Sequence, residues 1–138
     1  MNRELIDLIE KYSEPQDFSR VAPTQESLEK AQAALNVTLP SQYVDFLKRF
    51  GDGGLDGFEI YGFDLDGTLR FVEQTNEYRK FGLPLNLVVI ENCDEWVYCI
   101  DCSNGSIVSW SQVDGTRVDY PDFDSYLRNR VEDSIEDM

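Results

Sequence analysis

The sequence predicts an α+β fold in which N-terminal helices pack on a mostly antiparallel sheet and a C-terminal helix closes the chain. Three observations support it. Three segments within residues 3–50 repeat their apolar positions with helical spacing, on either side of a linker at residues 13–23. Residues 95–118 alternate as strands do, and residues 122–135 return to helical spacing. Because the helices precede the strands instead of alternating with them, a parallel sheet is not expected. The 138 residues are predicted to form one domain, 1–138, large enough to bury a core without metals or disulfides.

Three amphipathic helices are predicted in the first fifty residues. The first covers residues 3–12 and is capped by Asn2. The second follows the cap Thr24 and stops at Asn36, a residue type that tolerates the left-handed conformation. The third begins at Pro40, because the fixed φ of proline suits a first helical turn.

The third helix belongs to the stretch Leu39–Gly62, which is predicted to form a helix, a glycine-rich turn and a strand in succession. One face of the helix is apolar and consists of Tyr43, Phe46, Leu47 and Phe50. Glycines allow the chain to turn tightly after this helix, at Gly51, Gly53, Gly54 and Gly57. The alternation of residues 58–61 then predicts a strand.

The remaining chain is predicted to form hairpins and a closing helix. Residues 85–90 are apolar on both faces, which is typical of a central, covered strand. Two alternating segments, 95–102 and 106–113, are joined by Asn104-Gly105, a strong hairpin signal, and Asp114-Gly115 marks a further turn. The closing helix is capped by Asp122, and its apolar side consists of Phe123, Tyr126, Leu127, Val131 and Ile135.

Residues 64–68, Asp-Leu-Asp-Gly-Thr, match the first motif of haloacid-dehalogenase-type phosphatases, in which two aspartates flank a magnesium ion. That chemistry needs the motif after the first strand of a parallel sheet and a later lysine, and no lysine follows Lys80. We therefore expect a strand–turn–strand, with Asp66-Gly67 at the turn and Leu69 and Phe71 beyond it, and keep the phosphatase as a remote alternative. Residues 73–80 show only weak helical character.

No catalytic residue, cofactor or metal site is predicted. The chain has no histidine, and its three cysteines are too few for a four-ligand zinc site. On an extended strand Cys99 and Cys102 point to opposite faces, so free structural thiols are expected for them and for Cys93. The aspartates lack the spaced oxygen ligands of a twelve-residue calcium loop.

The charge is the strongest signal in the composition. The net charge is −15, of which residues 1–50 contribute −2 and residues 51–138 contribute −13. Such a chain repels phosphates, so nucleic acid is excluded as a partner, whereas a basic protein would be attracted. The acidic N-terminus does not resemble a signal peptide and no apolar run reaches membrane length, which predicts a cytoplasmic protein without membrane contact.

Acidic and aromatic residues of the downstream segments are the candidate partner-binding residues. Tryptophan and tyrosine are common anchors at interfaces, and the neighbouring carboxylates would attract a basic partner. The alternation leaves open whether Trp96 and Trp110 face the core or solvent, with the core favoured. The candidates are Tyr61, Asp64, Asp66, Asp94, Glu95, Trp96, Asp101, Trp110, Asp119 and Tyr120.

The stretch LPSQYVDFLKRFGDGG followed by FEIYG resembles the hallmark of the SUKH superfamily, the group that contains the Smi/Knr-type proteins. The later segments WVYCIDCSNGSIVSWSQV and PDFDSYLRNRV resemble the later strands and the closing helix of that family, so the resemblance covers residues 22–131. The residues that carry the defining pattern are Leu39, Pro40, Tyr43, Phe46, Leu47, Gly53, Gly54, Tyr61 and Gly62.

This resemblance implies an immunity protein that is not an enzyme. Most bacterial members of the family bind and neutralise a cognate toxin, often a nuclease. Fungal members act as regulatory modules through protein contacts, so a regulatory or scaffolding interaction module of the same fold is the alternative function for this chain. A nuclease toxin is expected to be basic, which agrees with the acidic charge derived above. We expect a monomer or a weak homodimer.

Overall fold

The computed structural model describes all 138 residues of the protein. Five helices and a four-stranded sheet follow one another in a single α+β domain, as predicted. The elements are α1 (Arg3–Tyr12), α2 (Gln25–Leu35), α3 (Ser41–Phe50), α4 (Arg70–Arg79), β1 (Leu87–Asn92), β2 (Val97–Asp101), β3 (Ile107–Ser111), β4 (Gly115–Tyr120) and α5 (Phe123–Glu136).

The ends of the helices follow local signals in the sequence. The side chain of Asn2 accepts hydrogen bonds from the first backbone N–H groups of α1, and Thr24 caps α2 in the same way. Asn36 ends α2 with a φ of 57°, in the left-handed conformation predicted for it. The third helix begins one residue later than predicted, because Pro40 has an extended ψ and acts as the cap.

Helix α3 supplies the centre of the aromatic core. Tyr43, Phe46 and Phe50 are buried, and their rings contact one another in sequence along the helix face. Phe123 of α5 packs edge-on against Tyr43 and Phe46, with ring centroids 5.4 and 5.6 Å apart. The Tyr43 hydroxyl donates a hydrogen bond to the backbone carbonyl of Tyr61. The core therefore joins α3 to both the glycine-rich segment and the closing helix.

The sheet is antiparallel, with strand order β1-β2-β3-β4. The turns predicted at Asn104-Gly105 and Asp114-Gly115 join β2 to β3 and β3 to β4. The prediction of a central strand at residues 85–90 is wrong in position, since β1 lies at an edge of the sheet. It is buried because α4 covers it and because the backbone N–H of Tyr61 donates to the carbonyl of Ile90 at 2.7 Å, at a β-bulge.

Two other strand predictions are wrong. Residues 58–61 form no strand, and only Ile60 makes an isolated bridge with Gly53. Leu69 bridges to Phe63 across the predicted turn, but Phe71 lies in α4, which occupies the segment expected to be weakly helical. Burial decides both cases, because Ile60 and Phe71 bury their side chains in the core without needing an extended ladder.

Helices cover both faces of the sheet. Tyr78 of α4 contacts Trp110, and Tyr126 of α5 contacts Tyr98. Trp110 pairs with Val97, the neighbour of Tyr98 in β2, so these two contacts lie on opposite faces. At one end of the sheet, the β1–β2 turn and the β3–β4 turn lie side by side. This end carries the strongest candidate surface.

Candidate protein-binding surface

A tight turn joins β1 to β2 and presents the predicted residues Asp94, Glu95 and Trp96. Its backbone is held by hydrogen bonds from the N–H of Cys93 to the carbonyl of Trp96 at 2.9 Å and from the N–H of Glu95 to the carbonyl of Cys93 at 2.8 Å. The side chain of Asn92 accepts the N–H of Asp94 at 2.7 Å. Asp94 has a φ of 66°, a conformation that aspartate tolerates better than most residues. The turn is therefore a fixed support for its side chains.

The two tryptophans occupy different environments. Trp110 is only 6% exposed, and Tyr78 packs edge-on against it with the centroids 6.3 Å apart. Trp96 is 38% exposed, and its ring stands at 89° to that of Tyr98. Of the two, only Trp96 offers a large apolar surface to a partner.

A groove of about 360 Å³ lies beside Trp96, and Trp110 and Tyr78 also line it. Two further apolar residues of the groove are exposed, Phe81 by 51% and Val113 by 92%. We call this region the tip surface and define it by Phe81, Asp94, Glu95, Trp96, Val113 and Asp114. Sequence reasoning missed Phe81 and Val113. The available signal is their position directly before Gly82 and Asp114-Gly115, since an apolar residue beside a turn has few neighbours to bury it.

A second group of predicted residues lies in a polar cleft of about 530 Å³ around Arg70. The Arg70 guanidinium binds Asp52 at 2.9 Å, pairs with Glu59, and lies 4.7 Å from the centre of the Tyr61 ring. Asp64 is part of the cleft wall. Burial raises the pKa of Asp52, although the N–H of Gly62 and the charge of Arg70 act in the opposite direction.

The two aspartates of the phosphatase-like motif stabilise a turn. Asp64 accepts the N–H groups of Asp66 and Thr68, each at 3.1 Å, and Asp66 accepts the N–H of Thr68 at 2.9 Å. Hydrogen bonds with Asp64 and Thr68 lower the pKa of Asp66 to about 2. The turn precedes helix α4 and an antiparallel sheet, so it does not follow a parallel strand as the phosphatase chemistry requires.

The last three predicted residues lie elsewhere. Asp101 is at the opposite end of the sheet, where Asn86 and the N–H of Ser103 donate to its carboxylate at 2.9 and 3.0 Å. Burial alone would raise the pKa of Asp101, but these hydrogen bonds stabilise the carboxylate more strongly, so the pKa is lowered. Asp119 and Tyr120 are half-buried on β4, where Asp119 pairs with Arg117 at 2.8 Å. The ten predicted residues therefore lie in four places: the groove beside Trp96, the region around Arg70, the opposite end of the sheet, and strand β4.

The cysteines are free thiols. Cys99 is buried within the sheet, and Cys93 and Cys102 are half-buried. Burial raises the pKa of Cys93 to about 11 and that of Cys102 to about 12, so neither is an activated thiolate at neutral pH. No group of three or more acidic or cysteine side chains is arranged to hold a metal ion. None of the five helices has the length and apolar character needed to cross a membrane.

Comparison with known proteins agrees with this architecture. A solved structure described as "Crystal structure of protein from Pseudomonas syringae pv. tomato" is similar to this chain with a TM-score of 0.79 and 19% sequence identity, over 95% of this chain and 99% of that one. At this identity the likeness shows the fold alone. A family model described as "SUKH_5: SMI1-KNR4 cell-wall" matches residues 2–132, a range that also includes α1. Because this match spans nearly the whole sequence, the chain belongs to the SUKH (SMI1-KNR4) family.

Proposed function

We propose that this protein is a cytoplasmic immunity protein that binds a cognate bacterial toxin and neutralises it by stoichiometric contact, without catalysis. The observation that carries the proposal is the uncompensated negative charge of residues 51–138. Six of the nineteen acidic residues in this range form ion pairs, which leaves thirteen without one.

The cations of the same range are all engaged within the protein. Five of the six take part in the ion pairs just counted, and the sixth, Arg79, donates to the backbone carbonyls of Leu35 and Leu85. None is left to offset the thirteen carboxylates. The surface therefore favours a partner that is itself positively charged.

A nuclease-type toxin has the required charge, because its active site must attract phosphates. An acidic inhibitor would be steered towards that site and could occupy it in place of nucleic acid, with association rate constants up to ~10⁸–10⁹ M⁻¹s⁻¹ at low salt. Membership of the family is consistent with this role, since its bacterial members include many immunity proteins.

The test is inhibition of the toxin encoded beside this gene. The purified toxin domain is assayed on its substrate with increasing amounts of the protein, and we expect activity to fall to background at an equimolar ratio. The complex should also elute as a single species in size-exclusion chromatography. Undiminished toxin activity at an equimolar ratio would contradict the proposal for that pair.

A further inference from the structure

The tip surface combines an apolar groove with acidic neighbours. The buried side chains of Trp110 and Val97 line the groove, and the exposed side chains of Phe81, Trp96 and Val113 stand around it. Exposed apolar residues that are grouped around a groove, rather than scattered singly, mark interaction sites. The arrangement is that of an interface anchor beside a shallow pocket.

The carboxylates at this place have no internal partner. Asp94 and Glu95 line the groove, and Asp114 lines an adjoining depression that also contains Trp96. None of the three forms an ion pair. Arg117, which lines the same depression as Asp114, is paired with Asp119, and Arg130, which lines a cleft with Asp94 and Trp96, is paired with Glu91. The three charges are therefore available to cations of a binding partner.

The support beneath these side chains is fixed before binding. Backbone hydrogen bonds hold the turn that carries Asp94, Glu95 and Trp96, and the Trp96 ring rests edge-on against Tyr98 at 6.1 Å. Little conformational freedom is lost when such a surface binds, because its anchor is already in place.

We propose that the tip surface is the docking site for the partner, and that its occupant is a segment of a basic protein that carries an apolar side chain flanked by lysine or arginine. The apolar side chain fills the groove beside Trp96, and the flanking cations pair with Asp94, Glu95 and Asp114. A second copy of this chain is disfavoured because both copies carry −15, and nucleic acid or an anionic membrane is repelled for the same reason. The inference rests on the proposed function for the identity of the partner.

The first experiment needs no toxin. A twelve-residue peptide of alternating lysine and phenylalanine is titrated into ¹⁵N-labelled protein, and backbone chemical shifts are followed. We expect saturable shifts centred on residues 93–97 and 112–115, and binding at least about tenfold weaker for a peptide in which alanine replaces phenylalanine. Shifts centred on the Arg70 cleft, shifts spread evenly over the acidic surface, or no saturation at about 1 mM peptide would overturn the proposal.

Variants show whether peptide binding depends on the tip surface or only on the overall negative charge of the protein. Trp96→Ala and the double variant Asp94→Asn/Glu95→Gln should each weaken peptide binding about tenfold or more. The matched control Glu4→Gln/Glu29→Gln removes two exposed carboxylates that form no ion pair, and Leu65→Ala removes an exposed apolar side chain; both should bind within about twofold of the parent protein. If Trp96→Ala unfolds, Phe81→Ala and Val113→Asp replace it in the test, because both change exposed side chains of the tip surface. Each should also weaken peptide binding. Equal weakening by tip and control variants would refute the docking site.

The same variants distinguish this inference from the proposed function. If Trp96→Ala and Asp94→Asn/Glu95→Gln inhibit the toxin as tightly as the parent protein, the docking site is wrong and the immunity function stands. If the peptide binds the tip but the toxin remains active with the parent protein, the immunity function fails and the docking site stands.

Discussion

The carboxylate of Glu91 accepts hydrogen bonds from Nε and Nη2 of Arg130 at 3.0 and 2.6 Å, which ties the bulged strand β1 to helix α5. The hydroxyl of Tyr126 donates to the same carboxylate. Burial opposes the charge of the guanidinium, but the hydrogen bond and charge of Glu91 outweigh it and raise the pKa of Arg130 above its ordinary value. Glu91 is 3% exposed, so the hydrogen bonds from Arg130 and Tyr126 offset the cost of burying its carboxylate.

Replacing Glu91 by glutamine should destabilise the fold. The change leaves a half-buried Arg130 without its counter-ion, and a broken buried pair costs about 3–5 kcal/mol. Urea unfolding monitored by tryptophan fluorescence measures the loss. The matched control is Glu132→Gln, which removes an exposed pair with Arg128 at 3.9 Å and should change the free energy of unfolding by less than about 0.5 kcal/mol. Equal effects would show that burial of the pair is unimportant.

The cap of α5 should make a pH-dependent contribution to stability. Hydrogen bonds from Ser125, whose N–H is 2.8 Å from the carboxylate, lower the pKa of Asp122 in the folded state. A lowered folded-state pKa gives stability that is present above the unfolded value of 3.8 and is lost as the pH falls through the folded value.

We therefore expect Asp122→Ala to cost about 1 kcal/mol near neutral pH and less at a pH below the unfolded value. Asp122→Asn retains a capping side chain without the charge. The difference in free energy of unfolding between Asp122→Asn and Asp122→Ala should therefore not change with pH. Urea unfolding of all three proteins between about pH 7 and pH 3 provides the data. If the difference in free energy of unfolding between the wild type and Asp122→Ala stays constant across this range, the charged cap makes no pH-dependent contribution and the prediction is wrong.

Gly62 should be much harder to replace by alanine than Gly67. A Cβ added there would lie 1.9 Å from the carbonyl oxygen of Gly51 and 2.8 Å from Leu47. Gly62→Ala should therefore cost about 3 kcal/mol or more, because backbone must move. Gly67 has a φ of 83° with open space around it, so Gly67→Ala should cost only the left-handed strain of about 1–2 kcal/mol. Thermal unfolding would rank the two, and the reverse order would contradict the steric explanation.

Association with the proposed toxin should depend strongly on salt. The unpaired carboxylates attract a basic partner over distances that salt screens, with a Debye length of ~10 Å at 0.1 M. We expect the association rate constant to fall about tenfold or more between low salt and about 0.5 M, while the dissociation rate constant changes less. Stopped-flow fluorescence measures both. A salt-independent association rate would assign the acidic charge to solubility alone.

Much of the fold follows from signals that act over a few residues. Asn2, Thr24 and Asp122 cap their helices because their side chains reach backbone N–H groups two or three positions away. The Asn104-Gly105 turn forms where it was predicted for the same local reason. The strand predictions for residues 58–61 and for Phe71 are wrong because a short apolar segment is buried equally well by a strand, a helix or a loop.

The candidate surface was predictable only in part. Asp94, Glu95 and Trp96 are adjacent in the sequence, so their charge and aromatic character were visible together. Phe81 and Val113 lie fifteen or more positions away from Trp96 and join it only because α4 and the β3–β4 turn pack beside the β1–β2 turn. Periodicity carries no information about such contacts between distant segments.

The fold class, the helix caps, the hairpin turns, the family resemblance and the acidic charge all follow from the sequence alone, because they depend on neighbouring residues or on composition. Which of the two tryptophans is exposed depends instead on packing between distant segments. Trp110 lies within β3 and Tyr78 of α4 covers it, whereas Trp96 lies in the β1–β2 turn, where only Tyr98 packs against its ring and 38% of the side chain stays exposed. Tertiary packing also placed β1 at the edge of the sheet and covered that edge with the backbone of Tyr61, since only the folded chain brings these segments together.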